Sequence, residues 1–100
     1  MPAAKPYRFH PQAWQDIESA DDWYRARSPD SSVRFLSAVL DGLEEIARAP
    51  RRWPTYLHGT QRFILYRFPF SIIYREELSA ISIIAIAHHK RMPGYWKGRL

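Results

Sequence analysis

No cysteine occurs in this chain. Disulfide bonds, thiol nucleophiles and Cys-bound zinc or iron–sulfur sites are therefore excluded, and the composition suits a reducing cytoplasm. Long apolar runs are also missing, because the longest apolar-rich segment, residues 81–87, is far shorter than the roughly 20 residues that cross a bilayer. Residues 1–6 have no apolar core resembling a secretory signal. We therefore expect a soluble, cytoplasmic protein with no membrane partner.

Acidic side chains are scarce in the second half of the chain. Residues 51–100 carry nine Lys and Arg against Glu76 and Glu77, whereas residues 1–50 carry six basic and eight acidic side chains. Residues 88–100, here called the basic segment, contain two Lys, two Arg, two His, one Tyr and one Trp, and no Asp or Glu. Cations neutralise anionic groups and aromatic rings stack, so the basic segment indicates a contact surface for phosphate, a nucleobase or an acidic protein. The alternative is a solvated basic surface that aids solubility.

The histidines do not form a metal-binding pattern. His88 and His89 are adjacent, so on a strand their side chains point to opposite faces and cannot bind one metal ion together. His10 and His58 stand alone, without the spacing that metal ligands show. The sequence therefore predicts no metal and no cofactor.

Two helices are predicted in the first half of the chain. The first follows a short strand at residues 7–9 and runs from about Gln12 to Arg27. Ser28 supplies a capping hydroxyl for the second, and Pro50 stops that helix near Arg48. The short connection at Ser28 makes the two helices an antiparallel hairpin.

The core faces of these helices are predicted from the spacing of apolar residues. In the first helix the stripe consists of Trp14, Ile17, Ala20, Asp21 and Tyr24, with Trp23 beside it. In the second it consists of Leu36, Val39, Leu40, Leu43, Ile46 and Ala47. Trp14, Trp23 and Tyr24 are therefore interpreted as packing residues before binding residues.

Three strands are predicted in the second half. Residues 62–67, 70–75 and 81–87 are rich in β-branched and aromatic side chains, and tight connections separate them, so they form an antiparallel meander. The last strand is apolar on both faces, which predicts a central strand covered by the helices on one side and by another layer or a partner on the other. The fold class is α+β, in the order β-α-α-β-β-β, with the helical hairpin packed on a small antiparallel sheet in a single domain of residues 1–100.

This order coincides with several specific motifs. They are Trp23-Tyr24, the run Phe68-Pro69-Phe70-Ser71-Ile72-Ile73-Tyr74, and the ending His88-x-x-Arg91-x-Pro93-x-Tyr95-Trp96-x-x-Arg99. Over nearly its whole length the chain resembles the RelE/ParE superfamily of bacterial toxins from type II toxin–antitoxin systems, and within it the ParE-like branch. The resemblance implies a growth-inhibiting toxin, of the kind associated with plasmid stabilisation. It also implies a cognate antitoxin that holds the toxin inactive in a hetero-oligomer.

The resemblance leaves two mechanisms open. ParE-like toxins poison DNA gyrase by trapping its cleaved-DNA state, which needs a recognition surface and no catalytic groups of the toxin. Such a surface binds through charge-assisted hydrogen bonds and aromatic anchors. The residues that would provide them are Arg91, Tyr95, Trp96, Lys97 and Arg99. Gyrase poisoning is the interpretation that we favour.

The alternative is RelE-like, metal-independent cleavage of messenger RNA on the ribosome. That chemistry needs a base, an acid and cations for the phosphate. The candidates are Arg67, His88, Arg91 and Tyr95, with His89 and Arg75 as further possible contributors. Some RelE-like catalytic surfaces include lysine on the sheet, and others use histidine and a carboxylate. Residues 60–87 contain arginine and no lysine, and guanidinium is a poor general base, which counts against the nuclease mechanism. His88 is equally compatible with a structural role.

An antitoxin segment that folds on binding needs a large apolar footprint, because burial has to offset the cost of ordering it. We expect that footprint on the helical hairpin and the sheet, at Trp14, Leu36, Leu43, Arg67 and Arg75. The sequence does not decide the conformation of the basic segment, because Pro93, Gly94 and Gly98 disfavour a regular helix whereas its aromatic residues disfavour disorder.

Overall fold

The predicted order of elements is present in the computed structural model, which describes residues 5–100. The elements are β1 (Tyr7–Phe9), α1 (Pro11–Arg27), α2 (Pro29–Arg48), β2 (Gln61–Ile64), β3 (Phe70–Glu76) and β4 (Ile81–His88), with short 3₁₀ helices at Leu57–Gly59 and Tyr95–Arg99. Residues 1–4, which make up most of the segment considered for a secretory signal, lie outside the described residues. Within residues 5–100, no helix has the length and apolarity to span a membrane.

The helix boundaries follow from local capping. Ser28 serves both helices: its backbone N–H donates to Tyr24 O at 3.0 Å, and its Oγ accepts from the Ser31 N–H at 3.1 Å. His10 Nδ1 accepts from the Gln12 N–H at 3.1 Å, and Pro11 occupies the first turn of α1. These contacts satisfy N–H groups that have no partner within a helix, so both predicted helices begin where the sequence indicates.

The four strands form one sheet in the order β1-β4-β3-β2. The predicted meander is confirmed, since β3 is antiparallel to both β2 and β4. β1 however pairs in parallel with β4, from Tyr7↔Ile81 to Phe9↔Ile83, so the sheet is mixed and not purely antiparallel as predicted. A strand that is joined to its neighbour through both helices and two other strands has no turn that would reveal its direction in the sequence.

The main core lies between the helices and the inner face of the sheet. Phe35, Ile46, Ile72, Tyr74 and Ile83 are all fully buried there. α2 approaches the sheet closely at Gly42, where an added Cβ would lie 2.9 Å from side-chain atoms of both Ile72 and Phe63. The glycine therefore permits the close helix–sheet contact that fills this core.

Four helical positions differ from the predicted core. Leu40 is 60% exposed, and Phe35, which was not part of the predicted stripe, takes a fully buried position instead. Trp14 and Trp23 are each about half exposed, so they border the core and do not fill it. On α1 the buried face is carried by small side chains, Ala13 and Ala20, because the helix lies close to β4.

The strand predicted at residues 62–67 ends early. β2 stops at Ile64, and Arg67 has a φ of 67° in the turn that leads to β3. The Phe70 N–H donates to Phe68 O at 2.8 Å within this turn. Tyr66 and Arg67 are therefore exposed turn residues, although tyrosine is common in strands.

The outer face of the sheet carries a second apolar cluster. Trp96 packs there against Ile73, Ile84, Ala85 and Ala87. The covering layer that the sequence left open is thus supplied, over this part of the sheet, by the basic segment itself. Its 3₁₀ helix at Tyr95–Arg99 is the conformation that could not be chosen from sequence.

Tyr74 ties the sheet to the loop that follows α2. Its hydroxyl donates to Pro50 O at 2.6 Å, and burial, with a smaller contribution from the charge of Glu76, raises its pKa to about 12. Because the folded-state pKa is higher than the ordinary value of 10.0, the protonated phenol stabilises the fold fully below about pH 10. That stabilisation is lost as the pH rises from about 10 towards 12.

We expect Tyr74→Phe to lower the free energy of unfolding by about 1 kcal/mol at pH 7, because the Pro50 carbonyl loses its donor. We also expect a shallower loss of stability between about pH 10 and 12. Urea unfolding at stepped pH values measures both effects. Tyr66→Phe, at an exposed turn position, is the control and should match the parent chain. An alkaline stability profile of the Tyr74 variant that superimposes on that of the parent would contradict the assignment.

Candidate functional site

The basic segment folds back onto the sheet after β4. The Arg91 N–H donates to His88 O at 3.0 Å, and Gly94 has a φ of 82°, which lets the chain reverse into the 3₁₀ helix. This left-handed conformation suits glycine because a side chain would be strained there. The segment is therefore an ordered surface, and its predicted binding residues divide into buried and accessible ones.

Trp96 and Arg99 are the buried ones. Trp96 is 2% exposed in the outer cluster. Arg99 donates to Asp16 Oδ2 at 2.7 Å and to Ile84 O at 3.0 Å, and its side chain is 10% exposed. Both were predicted to bind a target directly. In this conformation their side chains are instead occupied by contacts within the fold, so their role in target binding stays a prediction.

Arg91 and Tyr95 form an accessible pair, here called the Arg91–Tyr95 platform. The Arg91 guanidinium lies 3.8 Å from the centre of the Tyr95 ring, in cation–π geometry. Burial is the main cause that raises the pKa of Tyr95, and the negative charge of Asp16 adds to it. Tyr95 is therefore a neutral phenol at physiological pH. Lys97 is exposed nearby in the chain and adds a further cation.

The two adjacent histidines have different surroundings. Burial, followed by the charges of Lys90 and His89, lowers the pKa of His88, and His88 Nδ1 accepts from the Lys90 N–H at 3.0 Å. His89 Nε2 lies 2.9 Å from Ser71 Oγ. Within residues 5–100, no three His, Asp or Glu side chains are arranged to hold a metal ion.

Two grooves flank the platform. The outer groove, of about 200 Å³, lies on the outer face of the sheet, and its polar walls include Arg62, Ser71 and His89. The helix groove, of about 430 Å³, lies between α1 and the end of β4 and includes Trp23 and Tyr24. His88, Arg91 and Tyr95 border both grooves.

Arg67 is separated from the other predicted ribonuclease residues. It borders a third groove, the turn groove, of about 620 Å³, between α2 and the β2–β3 turn, together with Arg34, Phe63 and Tyr66. The structure thus brings together three of the four candidates, His88, Arg91 and Tyr95, and places Arg67 elsewhere. The reason is the early end of β2, which turns Arg67 away from the strand that was expected to present it.

The residues predicted to contact an antitoxin also divide. Trp14 is exposed and stacks on Phe9 with 4.2 Å between ring centres. Leu36 and Arg75 are half-buried, and Arg67 is exposed in the turn groove. Leu43 differs from the accessible position expected for it, because it is 6% exposed in the main core.

Two residues at the site, Ser71 and Asp16, were not singled out from sequence as binding residues. Arg62 and Ser71 line the outer groove from neighbouring strands, and Asp16 pairs with Arg99. His89 was considered from sequence as a further contributor to RNA cleavage, and it is His89 that contacts Ser71. Side chains alternate between the two faces of β2 and β3, and this alternation could have indicated Arg62 and Ser71. A single aspartate on a helix, such as Asp16, is indistinguishable in sequence from a residue of a solvated face.

A family model described as the ParE toxin of type II toxin–antitoxin system, parDE, matches residues 7–93. The fold is similar to that of a solved chain from the chromosomal ParDE TA system from P. aeruginosa, with 17% identity and a TM-score of 0.73 over 85% of this chain and 96% of that chain. It is also similar to a chain of the toxin–antitoxin complex RelBE2 from Mycobacterium tuberculosis, with 22% identity and a TM-score of 0.58 over 86% of this chain and 99% of that chain.

No curated protein sequence matches the chain significantly. The family model nevertheless spans β1 to β4 and the start of the basic segment. The two structural likenesses independently show a RelE/ParE-type α+β fold. The chain therefore belongs to the ParE toxin family of type II toxin–antitoxin systems, within the RelE/ParE superfamily.

Proposed function

We propose that this chain inhibits bacterial growth by poisoning DNA gyrase in the cytoplasm and that a cognate antitoxin neutralises it. The observation that carries the proposal is the Arg91–Tyr95 platform, which presents a cation and an aromatic ring on an ordered surface between two grooves. A gyrase poison needs such a recognition surface and no catalytic group of its own. Arginine and tyrosine are among the residues that contribute most to binding at interfaces.

Acid–base chemistry is poorly supported at the same residues. The lowered pKa keeps His88 neutral at physiological pH. Because its Nδ1 accepts a hydrogen bond, the proton of the neutral ring lies on Nε2, which leaves no free lone pair for a general base. Tyr95, with its raised pKa, is a weaker acid than an ordinary tyrosine. These properties favour recognition over RNA cleavage.

The outer groove favours a second candidate, ribosome-dependent cleavage of messenger RNA. Arg62 and Arg91 would neutralise a phosphate there, and the His89–Ser71 pair offers an imidazole beside it. Asp and Glu are absent from the described residues that line this groove, which suits an anionic ligand. This arrangement differs from the ribonuclease set expected from sequence, because His89 and Arg62 replace His88 and Arg67.

An antitoxin would cover apolar surface that the described chain leaves exposed. Val33 and Leu40 are exposed on α2, and Ile64 and Tyr66 are exposed at the end of β2. The solved relatives are named as members of ParDE and RelBE toxin–antitoxin systems. The proposal therefore includes a toxin–antitoxin hetero-oligomer in which the helical hairpin and the turn groove are contacted.

The test is a gyrase assay with the purified, antitoxin-free chain. We expect the parent to inhibit supercoiling and to accumulate cleaved DNA, and Arg91→Ala to weaken inhibition at least about tenfold, because a platform cation is lost. Arg48→Ala is the matched control, since Arg48 is an exposed helix residue paired with Glu45 at 3.3 Å, and it should act like the parent. Circular dichroism establishes that each variant is folded.

A ribosome-dependent mRNA cleavage assay runs in parallel on the same preparations. Cleavage by the parent that is lost in Arg62→Gln and His89→Gln, together with an unaffected gyrase, would replace the proposed function by the second candidate. Trapped gyrase without mRNA cleavage would support the poison mechanism.

A further inference from the structure

The edge of β4 that faces β1 is hydrogen-bonded to β1 over only the first part of the strand. β1 pairs with β4 from Tyr7↔Ile81 to Phe9↔Ile83, and the His10 N–H then donates to Ile83 O at 2.9 Å. Further along β4, the Ile86 N–H donates to Asp16 Oδ2 at 3.1 Å and Ile84 O accepts from Arg99 at 3.0 Å. Two side chains from distant parts of the chain thus satisfy backbone groups of the central strand.

Asp16 and Arg99 also bind each other. Arg99 Nη1 lies 2.7 Å from Asp16 Oδ2, and Arg99 Nη2 lies 3.3 Å from Asp16 Oδ1, which is a two-point contact. The Arg99 side chain is 10% exposed and the Asp16 side chain is 16% exposed, so solvent screens the pair far less than it screens a surface ion pair. Removal of one partner would leave the other charge buried and unpaired, which is costly.

This ion pair is directly connected to the platform. The Tyr95 ring has the Arg91 guanidinium 3.8 Å from its centre and the Arg99 guanidinium 5.4 Å from it. Trp96 packs into the outer cluster beside it, and Asp16 itself borders the helix groove. The position of Tyr95 therefore depends on contacts that α1 makes through Asp16.

We propose that Asp16 is a positioning residue for toxicity, which fixes the Arg91–Tyr95 platform through Arg99 without itself contacting the target. The proposal rests on the proposed function in that the platform is taken as the target-binding surface. Arg99, in turn, contributes through its contacts with Asp16 and Ile84. An aspartate on the first helix then controls the Arg91–Tyr95 platform through Arg99, which lies 83 residues away from it in the sequence.

The test compares Asp16→Asn with Asp22→Asn. Both remove one carboxylate from α1, but Asp22 is exposed and pairs with Arg25 at 3.4 Å, away from Arg99. We expect backbone amides of residues 95–100 to exchange hydrogen at least about tenfold faster in Asp16→Asn, with α2 unchanged, because the pair is lost locally. Growth arrest on induced expression and gyrase inhibition should fall by a similar factor in this variant alone.

A variant of matched stability distinguishes a positioning role of Asp16 from a merely structural one. Ile46→Val weakens the main core, whereas the partners of Arg99 are Asp16, Ile84 and Tyr95. We therefore expect Ile46→Val to keep its activity at a melting temperature comparable with that of Asp16→Asn. Arg99→Lys keeps the charge but not the two-point geometry and should restore only part of the activity lost in Arg99→Gln. The double variant Asp16→Asn, Arg99→Gln should be no less active than Arg99→Gln, because both changes break one contact.

The readouts distinguish failure of this proposal from failure of the proposed function. Unchanged exchange at residues 95–100 in Asp16→Asn, or full growth arrest despite faster exchange, would overturn the positioning role. If the parent arrests growth but leaves gyrase untouched, gyrase poisoning fails, and the comparison of growth arrest between Asp16→Asn and Asp22→Asn still decides the role of Asp16.

Discussion

Replacing Trp96 with alanine is expected to lower the free energy of unfolding by about 3–5 kcal/mol, the usual cost of truncating a buried tryptophan. Trp96 is 2% exposed and joins the basic segment to the outer face of the sheet through Ile73 and Ile84. Its loss would open a cavity there and release Tyr95 as well. Urea denaturation measures the stability, and near-ultraviolet circular dichroism measures the loss of aromatic packing.

Trp23→Ala is the control for this change, because Trp23 is about half exposed and contacts the guanidinium of Arg27 at 3.3 Å from its ring centre. We expect a clearly smaller loss of stability for Trp23→Ala. If Trp96→Ala keeps the parent's stability but no longer binds the target, the binding role inferred from sequence would be supported. The same result would refute the outer cluster as a structural element.

Replacing Phe35 with alanine is expected to cost a similar amount, about 3–5 kcal/mol. Phe35 is fully buried, and its ring centre lies 5.1 Å from that of Tyr24 and 5.4 Å from that of Phe70. These contacts join α1, α2 and β3 at one point. Urea unfolding should show a much lower midpoint with a closely similar denaturant dependence, since the two-state transition is retained.

Leu40→Ala on the same helix is the matched control. Leu40 was predicted to lie in the core, but at 60% exposure its truncation should change stability by no more than about 0.5 kcal/mol. Equal losses for Phe35→Ala and Leu40→Ala would contradict the orientation of α2 and support the stripe inferred from spacing.

The contrast between Phe35 and Leu40 shows what sequence can predict about the fold. Caps and prolines act locally, so the ends of both helices were predicted from residues such as Ser28. Which part of an apolar stripe is buried depends on the layer that packs against the helix. Where the stripe is wider than the packed surface, the sequence does not decide which of its residues face the core. The parallel pairing of β1 depends on distant residues and has no local signal.

The candidate site was predicted in part, for a similar physical reason. The composition of the basic segment indicated a surface, and Arg91 and Tyr95 lie on it. Composition does not distinguish an arginine exposed to solvent from one paired with a carboxylate, so the pairing of Arg99 within the fold was not predicted. Its partner Asp16 is remote in sequence, and only the fold brings the two together. Arg67 was misplaced because turn geometry ended β2 early.

The parallel pairing of β1 with β4 has a consequence for the time course of folding. β1 has to remain unpaired until β4 has been synthesised, and contacts such as Lys5 with Glu76 and Asp16 with Arg99 join residues 71 and 83 positions apart. Contacts so distant in sequence form slowly, because a long chain has to close before they are gained. During synthesis the helical hairpin is complete in the chain long before the basic segment, whereas the Arg91–Tyr95 platform is completed only when that segment docks. Under the function proposed above, target binding has to wait for these last contacts, while the hairpin surface proposed for an antitoxin is synthesised before them.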